Sequence, residues 1–351
     1  MSLPTPTLSP SETNYIITSL SHPSNPTRLD ARSLIDSRPI EISYGVFPHA
    51  NGSARVKVGG TEIIAGIKLE VVDSESTSNE KEKKGLESWR CKVEVDVTPQ
   101  SYPTTQPNTL SSISTYLSSL VSSHFTPSLT PFTIIPNTKF FQPQIHLTVL
   151  SSDGNIPSGL IIACRAAFSD LKIPRTKIIS WTGENDDHND TSQQGGQGDL
   201  SGIKAAISRG TNKNGKGKGR YIARGGEDWD LDLNRENGSA SLDGTEYMSG
   251  RENLPVLITL NLVPNSENVF IDATLSEESA CPSKLHLFFS NSSSISSSST
   301  QEERELKVCG VRLEGNGQSI DSTRIKTLLE QGSEFAKGLI DQLNSNLPSW
   351  Y

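Results

Sequence analysis

The segment from Leu147 to Phe168 contains residues whose types and spacing could bind an anion. A strand-like apolar run ends in Ser-Ser-Asp-Gly-Asn, and a helix pattern of small residues follows at once. A glycine-bearing loop that enters a helix N-terminus presents free backbone N–H groups and the positive end of the helix dipole. The residues Asp153–Ser158 are therefore either a phosphate site or a turn with the same shape.

Other clusters of polar residues give weaker evidence of a functional site. Asp228, Asp230 and Asp232 alternate around Trp229, but the closing Glu of a calcium loop is missing. We interpret this cluster as an acidic strand end or a partner-docking segment. The histidines are scattered and their spacing supports no Ser/His/Asp set: His49, His146 and His286.

Positive charge is local. The formal net charge of -8 excludes an overall basic surface, so nucleic acid could be contacted only at particular faces. Arg55 and Lys57 share one face of a predicted strand, and Lys213–Arg220 is a Gly-rich basic run. Each is either an RNA contact or a solvated surface, and we choose Arg55 and Lys57 as the predicted RNA-binding residues.

The cysteines, the first residues and the apolar runs limit the classes of protein to which the chain can belong. Four cysteines are far apart, with no CxxC pair, so we expect buried reduced thiols, no zinc site and no cofactor. The first residues, MSLPTPTLSPSETNY, lack the basic start and apolar centre of a signal peptide. No apolar run approaches membrane-spanning length, so we expect no membrane association.

Composition predicts a folded frame with polar insertions. The hydrophobic fraction of 33% is low, and three stretches without hydrophobic period interrupt the chain, at residues 73–88, 182–253 and 290–305. We therefore divide the chain into an N-terminal extension (1–27), a first half (28–181), a long low-complexity insertion (182–253) and a second half (254–347).

The frame reads as two similar halves. The first half shows four strand patterns and a helix with Leu110, Ile113 and Leu117 on one face, and the second half shows four more strands and a final helix. A strand–helix–strand unit over 144–180 lies between them. The predicted fold class is α/β (α+β), with two repeated four-strand-plus-helix halves.

The stretch from Arg28 to Val71 resembles the RNase PH family. The matching motifs are Arg28-Leu29-Asp30-Ala31-Arg32, Arg38, Ala50-Asn51-Gly52-Ser53 and Gly60-Thr61, followed by VLSSDGN, DATLSEESA and GNGQSIDSTRI. Ala31 replaces the family's Gly, which suggests a relaxed local turn. Within the family, the motifs are most similar to a ring subunit of the eukaryotic exosome.

This resemblance implies a set of partners and a place in the cell. The partners are other RNase PH-like subunits in a hetero-hexameric ring, cap subunits with RNA-binding domains, a separate catalytic nuclease and single-stranded RNA. The implied role is 3′–5′ RNA processing and degradation, including rRNA maturation, in the nucleus, nucleolus and cytoplasm.

Active members of the family cleave RNA with phosphate, and the positions that match their site are degenerate here. Their phosphate loop reads Asp-Gly-Gly-Thr-Arg, whereas this chain has Asn155, Ile156 and Pro157 in the last three places. Pro157 supplies neither a guanidinium nor a backbone N–H. Of two acids six residues apart, one is retained as Glu278 and the other is replaced by Lys284. Glu277 and Glu278 could equally be a solvated strand end.

The resemblance therefore implies a non-catalytic ring subunit that guides RNA. One alternative is an active phosphate-dependent 3′–5′ exoribonuclease with a divergent site, in which Glu278 acts alone. Another is a scaffold that does not contact RNA.

Overall fold

Alternating apolar residues in the first half form a six-stranded sheet. The computed structural model describes residues 3–73, 89–136, 138–179, 228–232, 244–291, 306–315 and 322–348. The strand order is β1-β2-β3-β6-β4, with β5 also on β6, and β4–β6 is the parallel pair. The strands are β1 (Ile40–Tyr44), β2 (Gly52–Val58), β3 (Thr61–Asp73), β4 (Lys92–Val97), β5 (Phe132–Ile135) and β6 (Lys139–Ser151).

The second half forms a four-stranded antiparallel sheet in the order β12-β11-β13-β14. Its strands are β11 (Val256–Leu262), β12 (Val269–Ile271), β13 (Lys284–Asn291) and β14 (Leu306–Glu314). Both faces of β11 are buried, and its residues are apolar except for Thr259 and Asn261. β12 ends at Ile271, and the next residue, Asp272, has a positive φ of 49° that an extended strand does not adopt.

Five α-helices complete the described chain: α1 (Pro10–Ser21), α2 (Pro107–His124), α3 (Ile156–Ser169), α4 (Leu275–Ala280) and α5 (Ser322–Ser345). Every residue of α3 is buried, because the helix packs against β2 and β3 of the first sheet and β11 of the second. A helix that is buried all round needs apolar or small residues on its faces, which the sequence provides apart from Arg165, whose Nη2 donates to Glu252 O and Asn344 Oδ1. The predicted halves and central helix are confirmed.

The long insertion has a different boundary from the predicted one. β10 (Thr245–Tyr247) pairs with β7 (Lys172–Pro174), and Met248 is buried beside it. The prediction that residues 182–253 are a low-complexity insertion is therefore wrong at its C-terminal end, because a three-residue polar strand has no visible period. The insertion at 74–88, the residues 292–305 and the basic run Lys213–Arg220 lie outside the described residues.

The chain divides into a large unit of residues 1–175 and 231–351 and a small unit of residues 176–230. Within 176–231, the described residues form two paired strands, β8 (Thr176–Ile179) and β9 (Asp228–Leu231). The acidic residues around Trp229 thus lie on or just after a strand.

The N-terminal extension contains a helix that the sequence analysis did not predict. Ser9 and Glu12 form a reciprocal capping box at the start of α1. Ile16 and Leu20 are buried in a small apolar cluster with Phe270. The spacing Ser9-x-x-Glu12 is the sequence signal that could have identified this helix.

The described helices include none that is long and apolar enough to cross a membrane. Cys91, Cys164 and Cys281 are buried free thiols, as predicted, whereas Cys309 is half-buried.

Candidate functional site

The loop before α3 has the turn geometry that its sequence predicts. Gly154 has a φ of +86°, and a Cβ there would lie 2.5 Å from the backbone oxygen of Ala273. Asn155 caps the helix in the left-handed conformation, and Pro157 lies in the first turn. Thr61 holds the loop, since its hydroxyl donates to Gly154 O at 2.8 Å and accepts from Asp153 N at 2.9 Å.

A carboxylate of the chain itself lies at the entrance to α3. The backbone N–H of Asn155 donates to Glu278 Oε1 at 2.9 Å, and Lys284 Nζ lies 2.8 Å from the same oxygen. Glu278 and Lys284 are 4% and 7% exposed. A negative charge is favoured at a helix N-terminus, so Glu278 satisfies the local demand for an anion.

The arginines of the Arg28–Arg38 segment bind carboxylates beside this loop. Arg38 donates to Asp272 from Nε at 2.9 Å, from Nη2 at 2.7 Å and from its backbone N at 2.7 Å. Arg32 Nη1 and Asn155 Nδ2 also donate to Asp272, at 3.0 and 3.1 Å. Burial raises the pKa of Asp272, but the hydrogen bonds and charge of Arg38 outweigh it and bring the pKa to about 2.

Arg28 makes a second buried pair. It donates to Glu277 from Nε at 2.9 Å and from Nη2 at 2.6 Å, and neither side chain is more than 1% exposed. Arg28 also donates to the backbone oxygens of Ile271 and Asp272, at 3.0 and 2.8 Å. These bonds fasten the N-terminal segment to α4 and to the end of β12, so Arg28 has a structural role.

Taken together, the charges of the cluster leave no positive excess. Four cations face five carboxylates, so the balance is one negative charge: Arg28, Arg32, Arg38 and Lys284 against Asp30, Asp153, Asp272, Glu277 and Glu278. An oxyanion needs cations and hydrogen-bond donors that are not already occupied. The described arrangement supplies neither in excess.

The structure brings together the predicted degenerate positions Asn155, Glu278 and Lys284. Ile156 and Pro157 are buried in the first turn of α3, where they present only hydrocarbon. The alternative that Glu277 and Glu278 form a solvated strand end is wrong, because both lie on α4 and are 1% and 4% exposed. They are buried because each is paired with a cation.

Arg55 and Lys57 lie apart from this cluster, on the exposed face of β2. Arg55 pairs with Glu62 on β3, with Nη2 and Nε at 2.6 and 2.7 Å from Oε1. Lys57 lies in register between Glu41 on β1 and Glu62. The common strand face is therefore present, and acidic neighbours lie along it.

No group of three or more His, Cys, Asp or Glu residues in the described part of the chain could hold a metal ion.

A buried row of hydrogen-bonded polar side chains runs from α3 to β14, and the spacing of these residues in the sequence did not reveal it. Ser158 Oγ lies 3.1 Å from Thr259 Oγ1, which lies 3.0 Å from His286 Nδ1. His286 Nε2 lies 3.4 Å from Glu314 Oε2. Burial lowers the pKa of His286 to about 3 and raises that of Glu314 to about 7, since it disfavours the charged form of each group.

Ala31 is expected to be a strained position. It keeps a φ of 62°, so the relaxed turn expected from the replacement of Gly is not found. The left-handed conformation costs an L-residue roughly 1–2 kcal/mol, and Gly loses about 0.5–1 kcal/mol more chain entropy on folding. Ala31→Gly should therefore raise the free energy of unfolding by about 0.5–1 kcal/mol, measured by urea denaturation. An unchanged or lower stability would contradict the strain.

The comparisons with known proteins agree with this fold. Residues 36–174 match the 3′ exoribonuclease family, domain 1 (RNase PH). An Archaeoglobus fulgidus exosome solved with RNA bound to the active site has a chain that aligns with a TM-score of 0.54. The alignment covers 95% of this chain and 97% of that chain, at 15% identity, which supports a shared fold. Residues 36–174 are thus similar to this family, and the chain shares the fold of that solved exosome chain.

Three of the proteins that the chain resembles carry the name Rrp42. The Rrp42 component of Methanothermobacter thermautotrophicus is 31% identical over 158 residues, which are 44% of this chain and 56% of that protein. That of Pyrococcus abyssi is 30% identical over 162 residues, 45% and 56% of the two chains. A Dictyostelium discoideum protein that carries the Rrp42 name is 27% identical over 219 residues, 49% and 66% of the two chains. The chain thus spans less than two thirds of the length of each of these relatives.

Proposed function

We propose that the protein is a non-catalytic subunit of an exosome core ring. It assembles with other RNase PH-like chains into a hetero-hexameric ring and helps to guide single-stranded RNA through it. Cap subunits with RNA-binding domains and a separate nuclease complete the assembly, which acts in 3′–5′ RNA processing and degradation, including rRNA maturation. The nucleus, nucleolus and cytoplasm are its proposed locations. The fold and the similarity to Rrp42 components support this role.

The observation that carries the non-catalytic part of the proposal is the position of Glu278. Its carboxylate accepts from Asn155 N and from Lys284, the contacts that an incoming phosphate would need at this helix N-terminus. A phosphate dianion at the same point would meet a buried negative charge. The phosphate and the Glu278 carboxylate would repel each other strongly, because two negative charges in contact are poorly screened in a buried site.

The first turn of α3 offers no substitute cation. Ile156 and Pro157 are aliphatic, and Pro157 has no backbone N–H. Arg38, the nearest guanidinium to the loop, is occupied by Asp272 and by Asp153, whose Oδ2 lies 3.1 Å from its Nη1. Attack by phosphate needs a preorganised cationic site for the developing charge, and these residues do not form one.

The assay for this part of the proposal is phosphorolysis by the purified full chain. We expect no phosphate-dependent release of nucleoside diphosphates from 3′-labelled RNA above a protein-free blank. Phosphate-dependent release that is lost in Glu278→Gln would establish the alternative of an active exoribonuclease. Release that persists in Glu278→Gln would also contradict the non-catalytic proposal and would place the reaction at another site of the chain.

RNA contact at the Arg55–Lys57 face is a separate prediction. The double variant Arg55→Ala, Lys57→Ala should reduce crosslinking of single-stranded RNA to the assembled ring several-fold. Affinity for RNA falls as salt rises. Removing two phosphate contacts should make this slope of log affinity against log salt less steep by about 1.4. The matched control is Glu62→Gln, which releases Arg55 from its ion pair and should increase crosslinking. Equal crosslinking in all three proteins would favour a scaffold that does not contact RNA.

A further inference from the structure

Phe47, in the loop between β1 and β2, is an aromatic residue that is 44% exposed. Ile63 of β3 faces α3, since a Cβ at Gly159 of that helix would lie 3.0 Å from Ile63 Cδ1. Side chains alternate along a strand, so Gly66 and Lys68 face the opposite side of the sheet, here called the outer face. A Cβ at Gly66 would lie 3.3 Å from Phe47 Cδ2, which places the ring on this outer face.

Gly66 gives the ring of Phe47 its place on the sheet. Glycine in a strand interior weakens the strand and often marks the close approach of another group. Here that group is the ring, whose Cδ2 and Cε2 lie 3.3 and 3.6 Å from the Cβ position. In the described part of the chain, neither a second ring nor a cation stacks on Phe47. The ring therefore keeps aromatic surface that is open to solvent.

The loop that carries Phe47 is fastened to the sheet by hydrogen bonds. Phe47 N donates to Ser53 Oγ at 2.9 Å. Asn51 N donates to Ile67 O at 2.8 Å, and Asn51 Oδ1 accepts from Leu69 N at 3.0 Å. A residue that is held in this way binds a partner without the entropic cost of ordering its loop.

The charges of the outer face leave a cation beside the ring. Lys68 is exposed, lies two residues from Gly66 and is in register with the neutral Gln144. Within the described ranges it makes no ion pair. Acidic residues of the three central strands and of β4 are bonded to side chains of the same face: Glu62 to Arg55, Glu70 to Gln144, and Glu94 to His146. Glu41 and Asp96 belong to the edge strands β1 and β4.

The residues beside the ring favour single-stranded RNA over a protein as its partner. The cores of protein interfaces are depleted of charged residues. Lys68 and His146, which is in register with Gly66, instead place charged or titratable groups next to the ring. Single-stranded RNA is bound by exposed aromatic rings that stack on bases, together with cations that contact phosphates.

We propose that Phe47 stacks on a base of single-stranded RNA while Lys68 contacts a neighbouring phosphate. The inference rests on the proposed function, in which the ring of subunits guides RNA. It adds a stacking residue to the predicted contacts Arg55 and Lys57, which lie on the same outer face. Stacking tolerates any base, because every base has a π face, so the contact suits RNA of any sequence.

The stacking contact is tested on the full chain with a short oligoadenylate that contains 2-aminopurine, whose fluorescence falls when its base stacks. Phe47→Leu keeps an apolar side chain but removes the π face. It should weaken binding by about 5- to 150-fold, the loss of one base–aromatic stack, and should reduce the quenching. Phe47→Trp should bind at least as tightly as the wild-type chain. Tyr15→Leu, at a 66% exposed aromatic residue of α1, is the control and should change neither quantity.

The salt dependence of the affinity separates stacking from charge. Phe47→Leu removes no phosphate contact, so the slope of log affinity against log salt should stay as it is in the wild-type chain. Lys68→Gln should make this slope less steep by about 0.7, the value for one phosphate contact on a single strand. Lys337→Gln removes an exposed lysine of α5 and should leave the slope unchanged.

Three outcomes would overturn the inference: no binding of the oligoadenylate to the wild-type chain, equal affinity and quenching in the wild-type and Phe47→Leu chains, or a changed salt slope in Phe47→Leu. Urea denaturation checks that Phe47→Leu is folded, and Phe47→Met replaces it if it is not. Unchanged RNA binding with reduced recovery of RNase PH-like chains by tagged Phe47→Leu would assign the residue to a protein neighbour.

The same preparations distinguish this inference from the proposed function. If the tagged wild-type chain recovers no RNase PH-like chain, the proposed function fails, whereas the fluorescence experiment still decides whether Phe47 stacks on RNA. If the ring chains are recovered and Phe47→Leu binds RNA as the wild-type chain does, the inference fails and the proposed function stands.

Discussion

Replacing Asp272 with asparagine should lower the free energy of unfolding by about 3–5 kcal/mol, because it leaves Arg38 buried without its carboxylate. The guanidinium of Arg38 is 9% exposed and makes its shortest side-chain bond to Asp272, at 2.7 Å. Arg32 would lose the same partner. Urea denaturation of the wild-type and variant chains measures the difference.

The same variant should change how stability depends on pH. The pKa of Asp272 is lowered from 3.8 to about 2, so the ionised form is favoured in the folded state. Its contribution of about 2–3 kcal/mol is complete above about pH 4 and is lost as the pH falls towards 2. Asp272→Asn should therefore lack this part of the acid-induced loss of stability.

Asp153→Asn is the matched control, because Asp153 pairs with the same guanidinium. Its side chain is 47% exposed and lies 3.1 Å from Arg38 Nη1. Exposed ion pairs contribute about 0–1 kcal/mol, so this variant should lose no more than about 1 kcal/mol. Equal losses in the two variants would show that burial does not determine the contribution of the pair.

Gly154→Ala should be the most damaging single-methyl change in the loop. The left-handed conformation costs roughly 1–2 kcal/mol, and forcing a methyl group into packed atoms costs about 1–3 kcal/mol more. The new Cβ would lie 2.5 Å from Ala273 O and 2.8 Å from Thr274 C, which are backbone atoms and cannot rotate away. The expected loss is about 2–5 kcal/mol, measured by urea denaturation.

Gly45→Ala separates the backbone strain from the steric overlap, which are the two causes of the loss expected at Gly154. Gly45 has a φ of +67°, but a Cβ there meets nothing within 4 Å. Only the backbone strain of about 1–2 kcal/mol should remain. A loss at Gly45 as large as that at Gly154 would mean that the contact between the loop and the segment before α4 contributes little.

The features that the sequence predicts correctly are those with a local signal. The strands around Val56 and Val95 alternate with period two, and the helix with Leu117 repeats at helical spacing, so each is visible within a short window. The turn at Gly154 and Pro157 is likewise predicted by residues that are neighbours in the sequence. These signals suffice for the two halves and for the position of the loop.

The features that the sequence does not predict depend on residues far apart or on very short elements. Arg28 and Glu277 are 249 positions apart, and Arg38 and Asp272 are 234 apart. No periodicity links such residues, so Glu277 could be interpreted as a solvated turn. The strand Thr245–Tyr247 has only three residues and defines no pattern.

The bond between Glu278 and Asn155 has a consequence for competition. Because Glu278 belongs to the chain, its carboxylate is a tethered ligand whose effective concentration is independent of the solution. Well-oriented intramolecular groups can reach effective molarities far above the concentration of any solute. Free phosphate would have to compete with this carboxylate for Asn155 N–H and for Lys284, which both contact it. Restoring a hydroxyl and a guanidinium at Ile156 and Pro157 would therefore not suffice, and phosphate could bind only after the tether is removed.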